Sequence, residues 1–197
     1  MRIVAPGLMA ATVLQNATGE SLWPVLSGFK WMRFYEGMAA SPMSPDDVYV
    51  GNLMWIALRF SVTATAFLIV AALLGAILSW WGVLAIPAAV LGAIALAAPL
   101  IAWVATQEDD HGFGVIMRFL TLPMFLFSGT FFPITLYPTW LEYVVRATPL
   151  YQGVALARGC SLGMFNWAMV GHVAYLSVMS LVGLVITSRR FRGLLTP

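Results

Sequence analysis

Charge is what this chain most lacks. Of 197 residues only 9% are Asp, Glu, Lys or Arg, while 61% are apolar. A soluble domain carries roughly 25% charged residues. A soluble fold of this size has too little interior to hide so much apolar surface. The scarcity excludes a soluble enzyme, a nucleic-acid-binding module and a disordered chain. Cysteine is scarce too: Cys160 stands alone, which excludes an internal disulfide and a thiol-rich metal site. Two histidines speak against catalytic metal chemistry, and a net charge of +2 leaves no polybasic surface for nucleic acid. What remains is an all-α integral membrane protein with several spans.

Long uncharged runs outline those spans. A span needs about 20 mostly apolar residues. Residues 3–19 carry no charge, and Glu20 then interrupts an apolar stretch that runs to about Leu26. Residues 60–107, 48 in all, carry none, with Trp80-Trp81-Gly82 as a turn at the headgroup belt. Residues 119–141 are uncharged but broken by Pro123, Pro133 and Pro138, and residues 159–188 are uncharged apart from His172. The pattern predicts five spans, at about 4–26, 53–78, 83–106, 113–132 and 165–188. The basic tail, 189–197, belongs in the cytoplasm by the positive-inside rule, and so then does loop 27–52 with Lys30 and Arg33. Arg59 and Arg118 fall near the same ends and are expected to snorkel. An odd number of spans with an inner C-terminus puts the N-terminus outside without a signal peptide, which implies that an earlier span is missing.

The inner loop, 28–48, is the most informative polar stretch. Trp31, Phe34, Tyr35 and Met38 recur at i, i+3, i+4 and i+7, one apolar face of a short helix. Lys30, Arg33, Glu36 and Gly37 fall on its other faces. The helix is expected to stop near Ser41-Pro42, and a new one to start at Ser44-Pro45-Asp46-Asp47, where Ser44 caps and Pro45 suits the first turn. Such a helix lies on the inner leaflet, presents a docking surface, or does both.

On the outer side, segment 133–162 is too rich in Pro and Gly for one straight span. Thr139 with Glu142 makes a capping-box pattern that should open a short helix through Val145. Thr148-Pro149 should start another, stopped by Gly159. Irregular backbone at membrane depth survives only where protein buries it or a cavity meets it, so this re-entrant segment caps the bundle or gates a passage. Glu108-Asp109-Asp110-His111 tempts as a metal site, but acids before a helix favour its dipole without metal.

The run Leu122-Pro123-Met124-Phe125-Leu126-Phe127-Ser128-Gly129-Thr130-Phe131-Phe132-Pro133 resembles the signature of ABC-2 type transporter permeases, and more closely the branch of nodulation-factor exporters and daunorubicin-resistance permeases. Tyr137-Pro138-Thr139-Trp140-Leu141, Thr148-Pro149-Leu150 and Ala157-Arg158-Gly159 continue the likeness. So do Ala5-Pro6-Gly7-Leu8 and the inner run from Met32-Arg33 through Tyr35-Glu36-Gly37-Met38 to Ser44. The resemblance implies one ABC-2 transmembrane domain over 1–197, beginning at the second of the family's usual six spans. It implies a membrane permease subunit of an ATP-driven exporter, paired with a second copy or a related permease and docked by separate ATP-binding subunits. The inner helix becomes the coupling helix, with Lys30, Trp31, Arg33, Phe34, Tyr35, Glu36 and Met38 as its contacts. The pathway or gate candidates are Glu20, Phe125, Ser128, Gly129, Phe132, Pro133 and Trp140. The chain has no GxxxxGK(S/T) phosphate loop, so ATP and magnesium are expected at the partner subunit and no cofactor on this chain. A lipid-linked, glycolipid or amphipathic drug-like cargo and a bacterial plasma membrane are expected. The rival readings are a non-transporting membrane scaffold subunit and an integral-membrane lipid-modifying enzyme; only residues 108–111 offer the enzyme a polar cluster.

Overall fold

The computed structural model describes residues 4–39, 42–75, 80–131, 134–164 and 166–195. These are helical almost throughout, with no strand among them. Helix α1 spans Val4–Leu26, α2 Phe34–Ala39, α3 Pro45–Leu73, α4 Ala85–Val104, α5 Phe113–Val115, α6 Leu122–Phe127, α7 Thr139–Arg146, α8 Pro149–Leu162 and α9 Trp167–Leu195. This is the all-α membrane protein that the composition requires.

Among the described residues, three helices are long and apolar enough to cross a membrane: Asp46–Leu73, Trp80–Val104 and Trp167–Leu194. They coincide with the second, third and fifth expected spans. The other two expected spans do not meet that test of length and composition. Helix α1 has 23 residues, about 34 Å at 1.5 Å per residue, but it is too polar to count by composition. The reason is its place. It packs on α4 and α8, and Ala10, Ala11, Leu14, Ala17, Thr18 and Ser21 are buried among its neighbours. Polar groups there are satisfied inside the protein: Thr18 and Ser21 donate to the Leu14 and Ala17 carbonyls one turn back.

The expected fourth span, 113–132, is a broken apolar helix over Phe113–Phe127. Its middle, Ile116–Thr121, widens into a π-helix. Pro123 has no N–H to give the turn before it, and the Leu122 N–H reaches back five residues to the Met117 carbonyl. Gly129 at φ +76° then turns the chain away. The fifteen residues from Phe113 to Phe127 rise about 22 Å, short of the roughly 30 Å hydrocarbon core.

Helix α4 is the hub. Its buried face is alanine from Ala85 to Ala102, and it meets α1, α8, α3 and α9. Gly92 faces Gly153 of α8 so closely that a Cβ on Gly92 would stand 3.5 Å from the Gly153 Cα. Small residues let backbones approach, and packing replaces the hydrophobic drive that lipid cannot supply. Thr187 of α9 donates to the Ala98 carbonyl of α4 at 2.8 Å.

The ends of the bundle differ. One gathers Ser27–Trp31, α2, the start of α3, residues 107–112 and the end of α9; it carries Lys30, Arg33, Arg189, Arg190 and Arg192 and is the basic end. The opposite end gathers a 3-10 turn at Trp80–Leu84, helices α7 and α8 and the start of α9. Trp80, Trp140 and Trp167 there are exposed, as an interfacial aromatic belt requires.

Candidate coupling surface and pathway

At the basic end α1 runs into a π-helical turn, Ser27–Trp31, and α2 follows. Arg33 takes φ +50°, a left-handed conformation that breaks the helix between Trp31 and Phe34. This divides the single apolar face expected from the spacing. Tyr35 turns inward and is 2% exposed, whereas Trp31, Phe34 and Met38 stay at the surface beside Met32. Lys30 pairs with Glu108 at the surface, Nζ to Oε1 at 2.9 Å. Arg33 and Glu36 are exposed.

The Tyr35 ring sits among aromatics from three other segments. It lies 4.8 Å from the Phe29 ring and 5.6 Å from Phe191 of α9. Phe191 also meets Phe29 at 4.8 Å and Tyr49 of α3 at 5.3 Å. Gly28 makes room: a Cβ there would stand 2.3 Å from Tyr35 Cε2. Burial pushes the Tyr35 hydroxyl pKa up, so it stays neutral. The expected capping box at the start of α3 forms, with Asp47 N–H on Ser44 Oγ at 3.2 Å and Ser44 N–H on Asp47 Oδ2 at 2.9 Å. Asp46 accepts from Arg192 Nε and from Ser188 Oγ, each at 2.9 Å. The basic tail is thus the last turns of α9, fastened to α3.

The acidic cluster serves the same end. Glu108 takes Lys30, Asp110 takes the Trp23 indole N–H at 3.3 Å, and Asp109 takes the His111 backbone N–H at 3.2 Å. Phe29, Tyr49, Phe191, Glu108 and Asp46 were not singled out as contacts from the sequence. Their partners lie far along the chain, and only the clustering of aromatics beside charges at both tethered segments hints at them.

Glu20 pairs with Arg59 of α3, Oε2 to Nη1 at 2.7 Å. Arg59, expected to snorkel as an anchor, is therefore the partner of the one carboxylate inside α1. Gln15, Asn16 and Thr63 share their groove, of about 450 Å³.

At the opposite end Phe125 is half-buried and meets Phe131 edge-on at 5.4 Å. Ser128 is buried, its hydroxyl 2.8 Å from the Thr130 hydroxyl. Arg158 of α8 donates to the Gly129 carbonyl at 3.1 Å, and its guanidinium lies over Gly7 of α1, where a Cβ would stand 2.8 Å from Nη2. Phe132 and Pro133 lie outside the described residues. Trp140 is 68% exposed on α7. Burial raises the pKa of the Tyr137 hydroxyl beside it.

Two caps depart from expectation. Thr139 and Glu142 form no capping box: Pro138 is the N-cap of α7, and Glu142 pairs with Arg146 one turn on. Helix α8 starts as expected, with Tyr151 N–H on Thr148 Oγ1 at 3.2 Å, but passes through Gly159 and ends at Gly163, φ +67°. Gly159 instead gives room to Met169, 3.2 Å from a would-be Cβ. His172 joins Gln152 of α8, a helix-to-helix tie.

No solved structure matches the chain significantly. Curated proteins do. Nodulation protein J of Rhizobium leguminosarum bv. viciae is 25% identical over 190 residues, 96% of this chain and 73% of that protein. Nodulation protein J of Rhizobium meliloti (strain 1021) is 24% identical over 195 residues, 98% of this chain and 74% of that protein. Nodulation protein J of Bradyrhizobium diazoefficiens is 28% identical over 192 residues, 96% and 72%. The family described as ABC-2 type transporter matches residues 1–162. With its apolar helices, the chain is a membrane transport permease rather than a catalytic enzyme, and it belongs to the ABC-2 type transporter family.

Proposed function

We propose that this permease is the membrane subunit of an ATP-driven exporter, coupled through α2. The observation that carries this reading is the apolar ridge at the basic end. Trp31 is 58% exposed, Met32 75% and Phe34 39%, on a segment held firmly from beneath by Tyr35. Exposed aromatic and Met side chains on a rigid seat suit a protein partner. The positive-inside rule places that ridge in the cytoplasm, where an ATP-binding subunit docks. ATP and magnesium belong to that subunit. Two copies of this chain, or this chain and a related permease, form the pathway in a bacterial plasma membrane. The cargo is a lipid-linked, glycolipid or amphipathic drug-like molecule, which suits a bundle whose outer faces are broadly apolar. The gate is the Ser128–Gly129 turn with Phe125; Phe132 and Pro133 are assigned to it by family resemblance alone, and Trp140 anchors α7 at the interface.

The test is co-purification from membranes with an ATP-binding subunit of the same genome. Trp31→Ala with Arg33→Glu removes ridge area and reverses a charge while leaving Phe34, whose ring meets Tyr35 at 4.3 Å, in place. Truncating interface anchors costs about 2 kcal/mol or more each, so capture is expected to fall at least tenfold. Failure of the unmutated, correctly inserted protein to co-purify shifts the reading to a non-transporting scaffold.

A further inference from the structure

Helix α9 is tied at three levels. It runs unbroken from Trp167 to Leu195, 29 residues without a proline, about 43 Å at 1.5 Å per residue. At the basic end Phe191 meets Phe29 at 4.8 Å, and Ser188 Oγ donates to Asp46 of α3 at 2.9 Å. At the opposite end two side chains one turn apart reach the corner between α7 and α8. The Tyr175 hydroxyl donates to the Ala147 carbonyl at 2.5 Å. His172 meets Gln152, whose Nε2 donates to the Arg146 carbonyl at 2.6 Å. That bond fixes the amide, so Oε1 accepts from His172, whose Nδ1 carries the hydrogen. A helix leaves its last carbonyls without partners, and α9 supplies them to α7 directly and through Gln152.

Between these grips α9 rests on α4. At Gly183 a Cβ would stand 2.7 Å from Ala98 Cβ and 2.8 Å from Pro99 Cδ, so the backbone lies directly on the proline ring. Glycine has no side chain to interlock and Pro99 has no N–H to donate, so this contact neither meshes nor bonds. One turn on, Thr187 tethers it. Its single hydroxyl hydrogen has two carbonyls in reach, Ala98 of α4 at 2.8 Å and Gly183 of its own helix at 2.9 Å. The bond can pass from one to the other without leaving a buried donor unpaired. From Gly183 the helix extends about 12 Å to Phe191 and about 16 Å to His172. None of these ties depends on what covers the bundle's outer faces.

We propose that α9 is a rocking lever. Its pivot is Gly183 on Pro99, its tether is Thr187, and its grips on the α7–α8 corner are Tyr175 and, through Gln152, His172. A stiff rod turning on a middle point moves its ends in opposite directions. Displacement of the inner end away from α3 therefore swings the opposite end, and the corner with it, toward α3 by a similar distance. The proposal adds to the exporter reading and takes from it only the source of the push.

The experiment measures distances between nitroxide labels by pulsed electron paramagnetic resonance, on the full chain in lipid nanodiscs with Cys160→Ala. Val50→Cys with Arg189→Cys reads α3 against the inner end of α9, and Val70→Cys with Val170→Cys reads the opposite end; all four sites are exposed. Val70→Cys with Tyr143→Cys reads α7. Ser188→Trp drives a wedge between α3 and the inner end of α9. The inner distance is expected to lengthen and the other two to shorten by a similar amount. Tyr175→Phe with Gln152→Leu should free the corner, so that the α7 shift is lost and the α9 shift stays. Thr187→Val keeps the shape without the tether and should at least halve both shifts at the opposite end. Arg192→Glu is the milder push where the wedge prevents insertion. It sets two carboxylates face to face, the same signs are expected, and adding Asp46→Arg should restore the unmutated distances. Lengthening at both ends overturns the proposal, because α9 then slides as a whole. An unchanged distance at the opposite end overturns it too, because α9 then bends at Gly183. So do shifts that ignore Thr187→Val, and an α7 shift that survives loss of both grips. The readout needs no ATP and no partner. Loss of the exporter reading therefore leaves these distances intact, whereas loss of this proposal leaves subunit capture intact.

Discussion

The two ends of the bundle are tied in different ways. At the basic end the ties join segments far apart in sequence: Phe29 to Phe191 at 4.8 Å, Lys30 to Glu108 at 2.9 Å, Asp46 to Arg192 Nε at 2.9 Å. At the opposite end several ties are local. Glu142 meets Arg146 one turn on, Thr148 caps Tyr151, and Gln152 donates to the Arg146 carbonyl at 2.6 Å. The longer reaches there include Arg158 to the Gly129 carbonyl, Tyr175 to the Ala147 carbonyl and His172 to Gln152. A displacement of α2 is therefore shared at once by α1, α3 and α9, because one ring cluster holds all four. Short helices separated by turns at the other end rearrange one at a time. In a permease driven from one end, this is the arrangement that carries force at the basic end and yields at the other.

The largest effect expected is from Gly28→Leu. Its Cβ alone would stand 2.3 Å from Tyr35 Cε2, and the rest of the side chain adds to the overlap. Overpacking of a filled site costs about 1–3 kcal/mol, and here relief comes by expelling the ring. Loss of the seat frees α2, so tryptic cleavage after Lys30 and Arg33 should quicken and capture of the ATP-binding subunit should fail. Tyr35→Ala should do the same by emptying the seat. Tyr35→Phe should be close to neutral, since burial already keeps the hydroxyl uncharged. Unchanged proteolysis in Gly28→Leu would mean that the ring cluster does not hold α2, and the contrast between the ends would fall.

Gly129→Ala probes the other end. At φ +76° an alanine pays about 1–2 kcal/mol, and its Cβ would press to 3.2 Å on Ile134 Cγ2. The strain falls on the turn that Arg158 holds. The chain's sole cysteine, Cys160, is a built-in reporter two residues beyond Arg158 and only 6% exposed. Maleimide labelling of Cys160 should quicken in Gly129→Ala and stay slow in Gly28→Leu. Labelling that quickens in both variants would show that the two ends loosen together.

What the sequence made legible was local. The Ser44–Asp47 capping box and the Thr148 cap rest on residues within one turn of each other, and they form as spacing predicts, whereas Trp80-Trp81-Gly82, expected as the turn between spans, opens the next one as a 3-10 stretch. Periodicity also found α2, but it could not say which apolar residues face inward. Tyr35 goes in and Trp31 stays out because Arg33 breaks the helix between them and Phe191 waits at the far end of the chain. Two of the five expected spans fall short of a length-and-composition test for related reasons. Polar α1 is shielded by α4 and α8, so hydropathy understates its depth, while Pro123 and the π-helical turn shorten a run that composition reads as continuous. Thr139 lost its expected partner because Glu142 has a nearer one in Arg146. The pathway candidates stand on family resemblance, since a groove such as that of Gln15, Asn16 and Arg59 arises only when two helices cross.

The smallest effect sharpens the comparison most finely. Asp46 and Arg192 are joined by two-pronged hydrogen bonding, but both groups are open to solvent. Exposed ion pairs contribute little, so Asp46→Ala or Arg192→Ala alone should lower the midpoint of thermal aggregation in detergent only slightly. The double exchange, Asp46→Arg with Arg192→Asp, separates two causes. It keeps a pair of opposite charges in place. It also sets a cation in the first turn of α3 and an anion in the last turns of α9, each against the helix dipole. Recovery to the unmutated midpoint would assign the tie to pairing alone. A midpoint below both single variants would assign it to the helix ends, and the basic end would then owe its cohesion to the ring cluster, with its charges placed for α3 and α9 separately.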